Sequence, residues 1–322
     1  MNFRELLITK KEAGKRLDVL LSKRFSRFSR SQISKEIAKG NIFSTSRPIK
    51  SSSCVMLGER IRIVVPELVP TTPPPPLPKI IFEDDVMMVV NKPSGMLVHP
   101  TGDFFVWALI GLFKTAYPKH RVDLVHRLDR ETSGALLLTK NLEANSSLKK
   151  SIIQHRVQKI YKAIVIGNPD WDEIDVKEPI DVLPNSTLRL RRGIVKTGAS
   201  CHTKFVVEKR IGGKYSLIRC HLYTGRTHQI RVHLEHIGHP ILGDKIYGHH
   251  NDFYITYLQK GLSLAMVQEW ILHRQALHAC EVFFPHPKDG HRRVRVPLPP
   301  SLQRIVDGEE PQWDFSHCPL ED

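Results

Sequence analysis

The chain has 322 residues, of which 41% are hydrophobic, enough to bury one large core and a smaller one. Its formal net charge is +15, and residues 1–65 hold 15 Lys and Arg against 5 Asp and Glu. This concentration of positive charge indicates a polyanionic partner, either nucleic acid or an anionic membrane. A membrane is disfavoured, because the longest apolar run, FFVWALIGLF at 104–113, is about half the ~20 residues needed to cross a bilayer. We interpret that run as a buried helix.

The cysteines and the N-terminus indicate where the protein works. The five cysteines are widely spaced and include no C-x-x-C pair, which predicts reduced thiols and no structural zinc site. The first residues, MNFRELLITKKEAGKRL, lack the apolar core of a signal peptide. We therefore expect a cytoplasmic protein, and we expect it to be monomeric.

Residues 14–65 have the pattern of a small α/β domain. Apolar residues from Leu17 to Phe28 recur at helical spacing, and Ser29 with the glutamine three residues later forms a capping box that starts a second helix. Gly40 can end that helix, and CVMLGERIRIVV at 54–65 alternates like a strand. Five cations on the polar sides of the helices are predicted to contact the polyanion: Arg24, Arg27, Arg30, Lys35 and Lys39.

A proline-rich segment, PELVPTTPPPPLP at 66–78, predicts an extended linker between two domains, since proline disfavours helix interiors and sheet ladders. The second domain is expected to span 79–305, followed by an acidic, disordered tail at 306–322. Its strands outnumber its helices and do not alternate with them regularly, which predicts an α+β fold on a largely antiparallel sheet. The predicted strands are at 79–82, 86–90, 135–139 and 159–166, and the main helix contains Leu142, Leu148, Ile152 and Ile153.

The sequence HRLDRETSGALLL at 126–138 contains the strongest candidate for chemistry. It places Asp129 between two arginines, ahead of a Thr-Ser-Gly turn and an apolar strand. Fixed positive charge keeps a carboxylate ionised, as a nucleophile or a base requires. The alternative, a surface cluster of salt bridges, is the commoner origin of an R-L-D-R run.

The same segment resembles the HRLD-x-x-TSG signature of the RluA-type pseudouridine synthases. The N-terminal domain, with RLD-x-x-L before SRSQISKEIAKG, looks like the S-four-like RNA-binding domain, although 41–47 lacks its usual V-N-G turn. The resemblance implies the pseudouridine synthase fold and the isomerisation of uridine to pseudouridine in structured RNA. Large-subunit ribosomal RNA is the expected substrate, and transfer RNA is the alternative. Four further blocks match the family in order: 89–100 VVNKPSGMLVHP, 159–163 KIYKA, 224–248 TGRTHQIRVHLEHIGHPILGDKIYG and 274–279 RQALHA.

The resemblance implies roles for four residues. Asp129 matches the catalytic aspartate, which acts at the sugar either by attacking the anomeric carbon or by removing a neighbouring proton. Tyr161 is expected to contact the target base, and Arg226 to pair with Asp129. Arg127 is expected to fill the space that the flipped nucleotide leaves.

The residues by themselves leave other roles open. Tyr161 could be a core aromatic, although the small Ala163 beside it leaves room for a stacked base. Arg226 could bind a phosphate ahead of a helix that Thr227 caps. His126 is expected to brace its loop through a backbone hydrogen bond rather than to move a proton.

Several other functions are disfavoured. The histidines at 233, 236 and 239 do not form H-E-x-x-H or H-x-x-E-H, so we expect no metal site. The HIGH letters at 236–239 resemble a synthetase signature but precede a proline and not a helix. The acids at 83–85 are typical of a hairpin turn, not of a glycosidase pair. No phosphate-binding glycine loop is present, so no cofactor is expected. The remaining alternative is a non-catalytic RNA-binding or ribosome-assembly factor on the same fold.

Overall fold

A computed structural model of the chain describes residues 2–25, 29–65, 74–99, 108–184, 186–188 and 190–314. Contacts divide the chain into two units, Met1–Pro73 and Pro74–Asp322, and the division falls inside the predicted linker. Each unit has an apolar core of its own.

The first unit combines a three-stranded antiparallel sheet, in the order β1-β3-β2, with two helices. Strand β1 was not predicted, so the unit begins before residue 14. Strand β3 is shorter than the predicted strand at 54–65, because a turn with Gly58 at φ +76° precedes it. The elements are β1 (Asn2–Leu7), α1 (Leu17–Arg24), α2 (Arg30–Ala38), β2 (Ile42–Ser44) and β3 (Arg60–Val65).

The predicted start and end of α2 are confirmed. The Ser29 hydroxyl accepts the backbone N–H of Gln32, and the Gln32 side chain accepts the N–H of Ser29. Gly40, at φ +77°, donates its N–H to the carbonyl of Ile37, which closes the helix. Ile33 and Ile37 are buried in the core of this unit, as their spacing predicts. The predicted core residue Phe28 lies outside the described residues.

The second unit is built on a ten-stranded sheet flanked by helices. Its elements are β4 (Lys79–Glu83), β5 (Met87–Lys92), α3 (Leu109–Ala116), β6 (Asp123–Leu124), β7 (Ser133–Thr139), α4 (Leu142–Ile153), β8 (Gln158–Ile166), β9 (Glu173–Val176), β10 (Ile180–Val182), β11 (Arg192–Ile194), β12 (Thr203–Ile211), β13 (Tyr215–Leu222), α5 (Gln229–His236), α6 (Asn251–Lys260), α7 (Leu264–Trp270), β14 (Leu277–Pro285), β15 (His291–Arg295) and α8 (Pro300–Asp307).

The large sheet has the strand order β4-β5-β7-β14-β8-β13-β12-β9, with β15 added on β14 and β6 on β7. Within it, only the pairing of β7 with β14 is parallel among the described strands. Alternate residues of β5 and β7 enter two different apolar clusters, so both faces of the sheet are covered. The predicted α+β fold with a largely antiparallel sheet is confirmed. Strands β10 and β11 form a separate hairpin-like pair.

Some predicted elements differ from the structure. Helix α4 buries Leu148, but its end residues Leu142 and Ile153 are 53% and 77% exposed. The predicted helix at 104–113 is described only from residue 108, and α3 begins at Leu109. None of the helices in the described ranges is both long and apolar enough to cross a membrane.

The predicted disordered tail is partly ordered. Its first two residues complete α8. Farther on, Glu310 forms a 2.7 Å ion pair with Lys214, and the ring of Trp313 stacks on that of Trp270. Residues 306–314 are therefore held against the second unit, and residues 315–322 lie outside the described part of the chain.

Candidate active site

A cleft of about 490 Å³ opens on the second unit, where the loop before β7 faces strand β8 and the start of helix α5. Its size is within the range of pockets that take a small organic ligand. Arg127, Asp129, Tyr161 and Arg226 all line this cleft. The fold thus brings together all four residues that the sequence proposed for chemistry.

The cation that contacts Asp129 is Arg231, not Arg226. Arg231 Nη1 lies 3.1 Å from Asp129 Oδ2, whereas the exposed Arg226 directs its Nε to the carbonyl of Ser200 at 3.5 Å. The predicted pairing of Arg226 with Asp129 is therefore wrong. Because α5 starts at Gln229, Arg226 falls in the turn before the helix, while Arg231 lies on the buried first turns.

The predicted cap of α5 is also different. The residue before the helix is His228, with a left-handed φ of +60°, and no side chain caps the first turn, so Thr227 does not act as the cap. Gln229 organises this turn instead. Its side-chain oxygen accepts the N–H of Arg226 and the hydroxyl of Thr224. Gly238, at φ +80°, follows the end of the helix as predicted.

Arg231 is held rigidly from behind by Asp244, which is fully buried. Arg231 Nε and Nη2 lie 2.6 and 2.8 Å from the two oxygens of Asp244. Burial would by itself raise the pKa of Asp244, but the charge and hydrogen bonds of Arg231 lower it. Burial would likewise lower the pKa of Arg231, but Asp244 and then Asp129 raise it. The guanidinium is therefore a permanent positive charge that also donates an N–H to Asp129.

A second side chain faces Asp129 from the start of the same helix. His228 Nε2 lies 3.9 Å from Asp129 Oδ2, and its Nδ1 lies 2.8 Å from the hydroxyl of Tyr247. That hydroxyl already accepts the N–H of Arg192, so it can donate its own proton to Nδ1, which leaves the imidazole proton on Nε2. Burial, with Arg231 nearby, lowers the pKa of His228 to about 4. His228 is therefore neutral at pH 7 and turns an N–H towards Asp129.

The loop that carries Asp129 is fastened at several points. The buried ammonium of Lys92 donates to three backbone carbonyls, of which that of Arg130 lies at 2.8 Å. Burial lowers the pKa of Lys92 to about 7. The Ser94 hydroxyl donates to the carbonyl of Glu131, whose carboxylate pairs with Lys245. These contacts fix the backbone directly after the catalytic candidate.

The Thr-Ser-Gly segment, predicted as a turn, instead contains the first two residues of β7 and brings that strand against β14. Gly134 pairs with Ala279 in the parallel ladder, and a Cβ at Gly134 would lie 2.2 Å from the carbonyl oxygen of Ala279. The preceding Ser133 hydroxyl lies 2.8 Å from His278 Nδ1 and accepts an N–H of Arg274 at the same distance. Only glycine can allow β7 and β14 to approach so closely.

Tyr161 lies at the centre of β8, between Cys220 of β13 and Ala279 of β14. It is 6% exposed and still lines the cleft. Burial and then the charge of Asp129 raise its pKa, so the phenol is protonated at neutral pH. Its side chain therefore faces the same space as Asp129 as a neutral hydroxyl.

The structure gives His126 a bracing contact. Its Nε2 accepts the backbone N–H of Leu137 in β7 at 3.3 Å, and burial, with Lys159 nearby, lowers its pKa to about 3. A neutral histidine bound to the backbone agrees with the bracing role expected from the sequence. Lys159 also lines the cleft, and burial lowers its pKa.

Sequence reasoning missed several residues of this site. A usable signal existed for Arg231, because a charged residue between Ile230 and Val232 is normally buried only with a partner. Asp244 is a lone acid after an apolar run and was the obvious partner to consider. The missed residues are Lys92, Lys159, His228, Arg231, Asp244 and Tyr247.

The cations predicted to bind RNA lie in the first unit, and three of them form ion pairs there. Their partners are acidic side chains at 2.8 to 2.9 Å, and each of the three cations remains more than 40% exposed. Lys35 is exposed on α2, and Arg27 lies outside the described residues. The three pairs are Arg24 with Glu12, Arg30 with Asp18, and Lys39 with Glu36.

The other sequence motifs have structural roles. The side chain of Asp84 accepts the N–H groups of Val86 and Met87, which makes 83–85 the predicted hairpin turn. His233 is buried and bonds to Thr203 and to the carbonyl of Glu178. Over the described ranges, no three His, Cys, Asp or Glu side chains are grouped so that they could hold a metal ion.

Comparison with known proteins identifies the family. The family described as RNA pseudouridylate synthase matches residues 86–236. The chain is 33% identical to ribosomal large subunit pseudouridine synthase D of Neisseria meningitidis serogroup A over 305 residues, covering 91% of this chain and 78% of that protein. It is 34% identical to ribosomal large subunit pseudouridine synthase C of Escherichia coli K12 over 314 residues, covering 93% and 94%. The chain therefore belongs to the RNA pseudouridine synthase family, enzymes that isomerise uridine to pseudouridine in RNA.

A solved structure agrees with the fold. Human RNA pseudouridylate synthase domain containing 4 superposes with a TM-score of 0.56 at 23% identity, covering 71% of this chain and 91% of that one. The resemblance inferred from the five sequence blocks is thus confirmed at the level of family and fold.

Proposed function

We propose that this enzyme isomerises uridine in large-subunit ribosomal RNA, with Asp129 as the catalytic carboxylate. The observation that carries the assignment is the contact of Asp129 with the buried Arg231, which is held in turn by Asp244. Asp129 is also the carboxylate that lines the cleft among the described residues. The substrate is inferred from the relatives, since both bacterial proteins compared above are named for the large ribosomal subunit.

The reaction breaks the bond between the anomeric carbon and ring nitrogen 1 of uracil and forms a bond from the same carbon to ring carbon 5. Carbon 5 loses a proton and nitrogen 1 gains one, so no outside reactant is consumed. Asp129 acts at the sugar, either as a nucleophile at the anomeric carbon or as a base towards a neighbouring proton. Arg231 stabilises its negative charge through a hydrogen bond, and the neutral His228 lies 3.9 Å from the same oxygen.

Tyr161 is proposed to contact the detached uracil. Its neutral hydroxyl lies in the cleft with Asp129, where it can accept one proton while it gives up its own. Arg127, which is exposed at the rim, is proposed to occupy the stack that the flipped uridine leaves. Arg226, which is exposed and also lines the cleft, is proposed to contact the RNA backbone, as a cation ahead of a helix start can.

The first unit is proposed to be an S-four-like RNA clamp, with Arg24, Arg27, Arg30, Lys35 and Lys39 on its phosphate-binding surface. Even with three of these cations in ion pairs, each side chain stays substantially exposed, and an RNA phosphate can share or replace its partner. We further propose a cytoplasmic monomer that needs no cofactor. Transfer RNA is the alternative substrate.

The catalytic assignment is tested with Asp129→Asn, which keeps the shape of the side chain and removes its charge. We expect tritium release from ribosomal RNA labelled at carbon 5 of uridine to fall to background, because no carboxylate then reaches the sugar. RNA affinity should stay within a few-fold, since phosphate contacts supply most of it.

The matched control is Asp172→Asn, which removes one charge of an exposed ion pair with Arg210. Neither residue lines the cleft, so turnover should be unchanged. Appreciable tritium release by Asp129→Asn would remove Asp129 from the mechanism. If the wild type binds ribosomal RNA but never releases tritium, the chain is instead a non-catalytic RNA-binding or ribosome-assembly factor.

A further inference from the structure

Tyr223 is an exposed aromatic residue at the rim of the cleft. It directly follows β13 and lines the same cleft as Asp129. Its side chain is 48% exposed, whereas the other aromatic side chains that the structure describes are buried or half-buried. A single exposed apolar residue is ordinary on a protein surface. Tyr223 is informative because it lies at the entrance to the catalytic cleft.

The ring of Tyr223 is held in one orientation. It stacks on the imidazole of His202, with ring centroids 4.3 Å apart and planes inclined by 23°. The other end of His202 is fixed, because its Nε2 lies 2.5 Å from Asp175 Oδ1. The backbone is fixed as well, since the Tyr223 N–H donates to the carbonyl of His202 and the Tyr223 carbonyl bonds to His155 Nδ1. One ring face is therefore covered and preorganised by protein, and the exposed surface remains for a ligand.

Three cations lie on the segments around this ring. Arg226 is exposed three residues along the chain, and Lys159 lines the cleft on the neighbouring strand. Lys204, on the strand paired with β13, forms an ion pair with Glu173 and remains partly exposed. Aromatic faces set among cations are the usual means by which proteins bind unpaired nucleotides, with the ring stacked on a base and the cations near the phosphates.

We propose that Tyr223, positioned by His202, stacks on the nucleobase adjacent to the uridine that enters the cleft. This inference rests on the proposed function, because it takes the occupant of the cleft to be a flipped uridine. Flipping one nucleotide unstacks its neighbours, and a rigid aromatic face at the rim restores stacking for one of them. Tyr223 thereby contributes to affinity and to the choice of site, while Asp129 carries out the chemistry.

The test measures the affinity of full-length protein for a hairpin fragment of ribosomal RNA that the wild type modifies, using fluorescence anisotropy. Three variants are compared: Tyr223→Ala, Tyr223→Phe and His202→Ala. Stacking on an aromatic residue is worth about 1–3 kcal/mol per base, so Tyr223→Ala should raise Kd by roughly 5- to 150-fold. Tyr223→Phe should stay within about two-fold of wild type, and His202→Ala should fall between the two.

The decisive arm pairs the protein change with a change in the RNA. Hairpins that lack the base on one side of the target uridine or the other are bound to wild type and to Tyr223→Ala. At one of the two positions, removing the base should weaken binding by the wild type by the same factor as Tyr223→Ala weakens binding of the intact hairpin. Removing that base should not weaken binding by Tyr223→Ala any further. The proposal would be overturned if, at both positions, the affinity losses from the missing base and from Tyr223→Ala multiplied as independent effects do. It would also be overturned if Tyr223→Ala bound the intact RNA as tightly as the wild type does.

Two controls separate this role from folding and from the proposed function. Leu142→Ala removes an exposed apolar side chain from helix α4 away from the cleft and should bind as wild type does. The single-turnover rate of Tyr223→Ala at saturating RNA should fall by a smaller factor than its affinity, because saturating RNA compensates for weaker binding. A distorted active site would lower the rate at least as much as the affinity. If the wild type modifies no ribosomal RNA, the proposed function fails. The affinity for a single-stranded oligouridine then tests the stacking role of Tyr223. An unchanged Kd for Tyr223→Ala in that assay would overturn the stacking role.

Discussion

Replacement of Arg231 by methionine tests the arrangement at the centre of the cleft. Arg231 is 6% exposed and makes three hydrogen bonds to carboxylates, two to Asp244 and one to Asp129. Asp244 has no exposed surface, so its charge would remain in the interior without a counterion. Removing one partner of a buried ion pair costs about 3–5 kcal/mol. We expect Arg231→Met to lower the free energy of unfolding by that amount and to lower turnover.

Urea unfolding followed by tryptophan fluorescence measures this loss in the relevant unit. All four tryptophans of the chain, at 107, 171, 270 and 313, belong to the second unit, so the signal reports its unfolding alone. The comparison variant is Arg304→Met, whose partner Glu309 is 63% exposed. An exposed ion pair contributes about 0–1 kcal/mol, so this control should change little.

The loss should also depend on pH. In the wild type, burial would raise the pKa of Asp244 but Arg231 lowers it, so its stabilising contribution is present above the ordinary pKa of 3.8 and is lost as pH falls through the lower folded value. Without Arg231, burial is opposed only by the backbone N–H groups of Ile246 and Tyr247, and the pKa of Asp244 rises. The unfolding penalty of Arg231→Met should therefore be largest near neutral pH and shrink as pH falls through the raised pKa of Asp244 in the variant.

A second replacement separates charge from shape. Arg231→Met combined with Asp244→Asn leaves no buried charge at this point, so the double variant should recover part of the stability that the single variant loses. A loss below about 1 kcal/mol, or a loss that is equal at every pH, would refute the view that Arg231 neutralises buried Asp244.

Three further outcomes are expected. Tyr161→Phe keeps the ring and removes the hydroxyl, so tritium release should fall severely while RNA affinity changes only modestly; an unchanged rate would reduce Tyr161 to a core residue. Gly134→Ala places a methyl group against the carbonyl of Ala279 and should destabilise the second unit by several kcal/mol in urea unfolding. The control is Gly238→Ala, whose methyl group would enter open space at a positive φ and would therefore show the backbone cost alone. Deleting Met1–Pro73 should flatten the slope of log affinity against log salt by roughly two to three units, if the clamp makes about three phosphate contacts. A truncated protein with the full slope would show that these cations do not bind RNA.

Local pattern was sufficient for much of this protein. The capping box at Ser29 and Gln32 depends on residues three apart, and the strand that contains Tyr161 depends on a short run rich in β-branched residues. The apolar strand that follows Asp129 was likewise visible in one short segment. Such features are determined by neighbours in the chain, which is why they were predicted correctly.

The partner of Asp129 was decided only by the tertiary structure. Arg226 and Arg231 are five residues apart, and which of them reaches the loop depends on where α5 begins and which side packs on the sheet. The left-handed backbone conformation of His228 turns the chain just before α5, and the buried Asp244 then holds Arg231 in place. The parallel contact of Gly134 with Ala279 joins segments 145 residues apart. Such contacts depend on long-range packing, which no local pattern of residues specifies.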